Sequence, residues 1–79
     1  MDQMPANLGS QEMSVETFKD FQTLIYKLAG IALADSKRAL LMNRIAKRMR
    51  ALGVNSPEEY FNYVQNAENY EEKKLIDVV

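Results

Sequence analysis

The stretch Ser36-Lys37-Arg38-Ala39-Leu40-Leu41-Met42-Asn43-Arg44-Ile45-Ala46-Lys47-Arg48-Met49-Arg50-Ala51-Leu52-Gly53 decides how this chain is read. Leu41, Ile45, Met49 and Leu52 recur at i, i+4, i+8 and i+11, the spacing of one buried helical face. Gly53 closes that helix, and Asp35 or Ser36 is the expected N-cap. At about 100° per residue, Lys37, Arg44 and Arg48 fall within a narrow azimuth beside the apolar stripe. Lys47 and Arg50 carry positive charge further from the core, and Arg38 lies near the buried azimuth in the first turn.

Outward from this element the same period repeats. Upstream, Ser14 is an expected N-cap, with Glu16 in the first turn, where a carboxylate suits the helix dipole. Phe18, Phe21, Ile25 and Leu28 then mark an apolar face, with Leu24 beside it, and Gly30 ends the helix. Ile31-Ala32-Leu33-Ala34 reads as a short apolar connector packed on the core. Downstream, Ser56-Pro57-Glu58-Glu59 combines an N-cap Ser, Pro at N1 and Glu at N3. Tyr60, Val64 and Ala67 face one way in that third helix, with Phe61 alongside. Asn69-Tyr70-Glu71-Glu72 repeats the cap pattern for a fourth helix reaching Val79. The expected fold is therefore all-α, a small bundle of about four short helices over residues 14–79, preceded by a disordered tail over residues 1–13. The apolar Leu75-Ile76-Asp77-Val78-Val79 run lacks a C-cap, so more protein is expected to follow.

Composition narrows the chemistry. The 79 residues include no Cys and no His, which excludes disulfides, thiolate metal sites and the commonest general base. No apolar run approaches the ~20 residues that span a bilayer, and no signal-like segment opens the chain, so a cytoplasmic location without membrane insertion is expected. The net charge of −1 conceals an asymmetry. All six cations of the quoted stretch lie there without one acid, whereas the rest of the chain sets four lysines against all eleven acids. Such asymmetry concerns partners more than fold. A helix carrying Arg44 and Arg48 at i,i+4 repels itself slightly unless carboxylates elsewhere supply the counter-charge.

The remaining features read as structural. Tyr60, Phe61, Tyr63 and Tyr70 sit at the spacing of core and rim rather than of a base-stacking platform. Glu58/Glu59 and Glu71/Glu72 each occupy a first turn, where capping accounts for them better than catalysis. No phosphate-loop, dinucleotide, zinc-protease or calcium-loop pattern occurs. A helix-turn-helix reading would place Pro57–Tyr63 against DNA, but that segment has two acids and no base, and the sequence pI is about 5.3. Nucleic acid is therefore not an expected partner. A stand-alone module that binds acidic helices or an anionic ligand is the alternative the ridge also allows.

These residues resemble a known family. Leu24-Ile25-Tyr26 through Gly30-Ile31-Ala32-Leu33 to Lys37-Arg38, the Asn43–Gly53 helix, and Ser56-Pro57-Glu58-Glu59-Tyr60 are similar to the N-terminal all-helical domain of the CheR-family chemotaxis receptor methyltransferases. The resemblance covers about Ser14 to Val79. It implies an S-adenosylmethionine-dependent protein-glutamate O-methyltransferase acting on the cytoplasmic helices of methyl-accepting chemoreceptors. The α/β domain that binds the cofactor would follow Val79, so this fragment is expected to be inactive, with no catalytic, cofactor or metal residue of its own. The implied receptor-binding residues are Lys37, Arg44, Lys47, Arg48 and Arg50; at Lys47 relatives often carry Arg, which alone can grip a carboxylate bidentately. The other implied partner is the enzyme's own catalytic domain, and the face left open without it would favour a dimer of the fragment, whose oligomeric state the sequence does not fix.

Overall fold

The computed structural model describes residues 12–66 and 70–79, and among these it contains four α-helices and no strand. Helix α1 spans Val15–Ala29, a 3-10 turn spans Asp35–Lys37, and α2 spans Arg38–Leu52. Helix α3 spans Pro57–Val64 and α4 spans Glu71–Val78. Both α3 and α4 pack against α1 and α2, and against each other. Four short amphipathic helices thereby bury their apolar stripes in one core.

Local chemistry sets most of the boundaries. The Ser14 hydroxyl accepts the Thr17 amide at 3.1 Å and starts α1. Gly30 stops it at φ 71°, where its amide donates to the Tyr26 carbonyl, and Gly53 stops α2 in the same way at φ 74° on Met49. A Cβ in this left-handed region is strained, which explains glycine at both sites. Ser56 accepts the Glu59 amide at 3.1 Å, while Glu59 Oε1 accepts the amide of Asn55 at 2.6 Å. The reciprocal carboxylate bond thus reaches the residue before the cap rather than the cap itself.

The core holds the expected Phe18, Phe21, Ile25, Leu41, Ile45, Met49, Tyr60 and Val64, joined by Met42 and Leu75. Leu24, Leu52 and Phe61 pack at its margin. Phe21 stacks on Tyr60 with ring centroids 6.2 Å apart and meets Phe61 edge-on at 5.1 Å. Such aromatic pairs add directional stability beyond the apolar area they bury.

Several sequence expectations are corrected. Met13, assigned to the tail, is 2% exposed and belongs to the core. Arg38 Nη1 donates to its carbonyl at 2.9 Å and draws the segment before α1 onto the start of α2. The tail reading for residues 1–11 and the inward-facing Ala67 lie outside the described residues. In the connector only Leu33 packs on the core, since Ile31 is exposed. Neither Asp35 nor Ser36 caps α2, which has no side-chain cap. The intervening 3-10 turn moves the helix start to Arg38, and Gln22 Nε2 pins the connector through the Leu33 carbonyl at 2.8 Å and Asp35 Oδ1 at 3.0 Å. Helix α4 has Tyr70 at its N-cap position, in left-handed conformation and without a side-chain cap bond, in place of the expected cap pattern.

Met13→Ala should lower the stability of the chain by about 2–3 kcal/mol, the usual cost of emptying a buried Met site. Urea unfolding at neutral pH measures it, and an unchanged midpoint would show that Met13 does not pack as described.

Candidate functional site

The site is built on α2, whose two sides receive different company. Its apolar side faces α3 and α4. On its outer side Arg44, Lys47 and Arg50 are exposed, as is Lys37 in the 3-10 turn that leads into it. Among the described residues Lys37, Lys47 and Arg50 make no ion pair. Arg44 Nη1 donates to the Val78 carbonyl at 3.1 Å. That carbonyl belongs to the last turn of α4, which offers unsatisfied acceptors and a partial negative charge to a cation.

Arg48 is placed differently from the other four. Its Nε and Nη2 donate to Glu71 Oε2 and Oε1 at 2.7 and 3.0 Å, a two-point grip between α2 and α4. The Tyr60 hydroxyl donates to the same Oε2 at 2.8 Å from α3. Glu71 is 2% exposed and Tyr60 is fully buried. Burial alone would push the Glu71 carboxyl upward, but the hydrogen bonds from Arg48 and Tyr60, with the attraction of Arg48, hold it below the usual carboxylate range. The Glu71 hydrogen bond raises Arg48 against the opposing effect of burial. Burial and the adjacent carboxylate raise the Tyr60 phenol, so it remains a donor. Of the five cations expected to meet a partner, four form an open face and Arg48 is matched inside the domain.

The expectation that capping explains Glu71 is corrected with it: Glu71 is the buried counter-ion of Arg48. The sequence does hold a signal. Glu71, Leu75 and Val78 share the i, i+4, i+7 stripe of α4, so a lone acid occupies a core position. Glu58 also has a tertiary role, since its Oε2 accepts the Thr17 hydroxyl at 2.8 Å and joins α1 to α3. The second feature that the apolar stripe did not reveal is Leu40, 42% exposed among the cations. No group of His, Cys, Asp or Glu among the described residues could hold a metal ion.

Comparison with known proteins adds independent information. Residues 16–79 match the family model described as the CheR methyltransferase, all-alpha domain. The chain is 41% identical over 49 residues to a chemotaxis protein methyltransferase of Escherichia coli K12, covering 62% of this chain and 17% of the relative. It is 38% identical over 58 residues to chemotaxis protein methyltransferase 2 of Pseudomonas aeruginosa, covering 71% and 21%. A chemotaxis protein methyltransferase of Salmonella typhimurium is 40% identical over 52 residues, covering 66% and 18%. The chain therefore spans about a fifth of the length of these relatives, and no solved structure matches it significantly.

The buried pair makes a pH-dependent prediction. Because folding depresses the Glu71 pKa, its contribution is present above the unfolded carboxylate value of about 4.3 and is lost as pH falls through the lower folded value. Glu71→Gln should therefore destabilise the chain most at neutral pH, by about 3–5 kcal/mol. The difference from wild type should shrink towards pH 3. Urea midpoints of both proteins across that range test it, and a gap independent of pH would show that Glu71 is not held ionised.

Proposed function

This chain belongs to the CheR methyltransferase all-alpha domain family, and from that premise we propose that it is the substrate-recognising N-terminal domain of a protein-glutamate methyltransferase. The substrate is the glutamate-bearing region of chemoreceptor cytoplasmic helices. The ridge of Lys37, Arg44, Lys47 and Arg50 steers that region and sets its orientation, and Arg48 holds the ridge in place from beneath.

The observation that carries this reading is the exposed face of α2, whose cations have no acid of their own helix to pair with. Lys37 and Arg38 sit at its N-terminal end, where the helix dipole disfavours cations, and no acid occupies the first turn. No acid along α2 offers an i+4 partner either. Arg50 in the last turn suits the dipole, but a helix arranged for its own stability would carry acids at its start and at i,i+4 from its cations, and departures of this kind gather where a surface serves a partner. Acidic helices are the partner that complements such a face. Arg44 and Arg50 can grip carboxylates bidentately, whereas Lys37 and Lys47 act as point charges.

The chemistry belongs elsewhere in the protein. S-adenosylmethionine supplies an electrophilic methyl group, and an adenosyl ligand without phosphates needs a deep, largely apolar cleft. The described glycines, Gly30 and Gly53, serve as helix caps, and the grooves beside α2 are shallow and rimmed by cations. We assign its binding to the α/β domain that the family resemblance implies for the whole enzyme. No described helix is long and apolar enough to cross a membrane, and we place the enzyme in the cytoplasm with the receptor tails it modifies.

Replacing Lys37, Arg44, Lys47 and Arg50 with Glu in the whole enzyme, with Arg48 left intact, should lower kcat/KM for a receptor cytoplasmic fragment about 100-fold or more at low salt. Affinity for S-adenosylmethionine should stay at the wild-type value. The wild-type rate should also fall as ionic strength rises. Efficient methylation by the fourfold variant would overturn the reading.

A further inference from the structure

The cationic ridge is not purely polar. Lys37, Leu40, Arg44 and Lys47 follow one another at i, i+3, i+7 and i+10, the spacing of a seam that meets a second helix. Leu40 lies between Lys37 and Arg44 and exposes 42% of its surface. Beside it, Leu33, Lys37, Leu40, Leu41, Arg44 and Val79 line a dimple of about 40 Å³. That is room for the tip of an aliphatic side chain. A second groove, lined by Asn43, Arg44, Lys47 and Val78, continues along the same face.

We infer that Leu40 and this dimple receive an aliphatic side chain of the acidic helix that the ridge holds, so that recognition requires an apolar anchor between carboxylates. The inference rests on the proposed role of the ridge and adds a specificity element to it. Charge complementarity identifies the occupant. The dimple is rimmed by Lys37 on one side and Arg44 on the other, so a purely apolar visitor would leave both cations without carboxylates. An acidic amphipathic helix fills the dimple and neutralises both together.

Spacing gives the register. Lys37 and Arg44 are seven residues apart, roughly 10 Å along a helix axis. A partner helix running beside α2 reaches both with acids seven residues apart and places its anchor between them. The pattern is Glu-x-x-x-Leu-x-x-Glu or its reverse. Charge alone would accept any glutamate-rich helix, so the anchor sorts one turn of such a helix from the next.

The test uses the whole enzyme with a receptor cytoplasmic fragment and S-adenosylmethionine. Leu40→Ala should raise KM for the fragment about tenfold, at low and high salt alike, with kcat and cofactor affinity unchanged. Leu40→Met, which keeps an apolar tip, should restore most of the loss. Replacing with Ala the aliphatic residue that lies between acids seven apart in the fragment should raise KM similarly for wild type and add little for Leu40→Ala.

The outcomes separate the two readings. If the fourfold charge variant fails while Leu40→Ala keeps its KM, the ridge reading stands and the anchor is overturned. If Leu40→Ala lowers the melting temperature but leaves KM alone, Leu40 is covered by the enzyme's own chain and the anchor is again overturned. If neither variant affects KM, both readings fall.

Discussion

The arrangement of this domain depends on one buried ion pair. Glu71 occupies a core position on α4, and a carboxylate there is tolerable only where cationic and neutral donors reach it together. Arg48 from α2 and Tyr60 from α3 do so at 2.7–3.0 Å. The pair need not stabilise the fold more than apolar residues of the same shape would. Its effect is on alternatives. A rotation or slip of the short α4 would strand Glu71 away from both partners, at a cost of about 3–5 kcal/mol. The whole chain has only roughly 4–12 kcal/mol to lose at typical stability per residue. With eight residues and no side-chain cap, α4 relies on tertiary contacts for its register, and the ion pair joins the buried Leu75 and the Arg44–Val78 bond in setting it.

That constraint also explains how the α2 surface is divided. Arg48 sits on the core-side shoulder of the cationic face, so its charge is matched internally and leaves an open set of Lys37, Arg44, Lys47 and Arg50. The same docking of α4 brings the Val78 carbonyl to Arg44. Arg44 is therefore held at one end of its reach while most of its surface faces water. That bond restrains Arg44 alone of the four, and ordering before contact lowers the entropy lost on binding.

Helix periodicity, glycine stops and the Ser14 and Ser56 caps made most of the fold legible in the sequence, because each signal acts within one turn of chain. The misread places involve partners distant in sequence. Arg38 reaches Met13 across 25 positions, so a residue with no apolar neighbours at helical spacing became core. Asp35 serves Gln22 rather than α2, because a 3-10 turn separates it from that helix. Glu71 satisfied the local expectation for an acid in a first turn, and only the side chains 11 and 23 positions away reveal its other role. The cationic face itself was legible, because helical geometry and an absence of acids are both local facts.

Arg48 shows why a charge cluster in sequence is not a binding surface until its internal partners are known. Charge counting places it with Arg44, one turn away on the same face. Yet removing Arg48 leaves Glu71 buried without its cation, so the result would be unfolding or protonation of Glu71 rather than a clean loss of partner affinity. Removing Arg50 exposes no such debt, because no described carboxylate depends on it. A functional loss in an Arg48 variant therefore reports on the fold unless the fold is shown to be intact. Lys37, Lys47 and Arg50 make no ion pair among the described residues, so changing them leaves no buried charge behind.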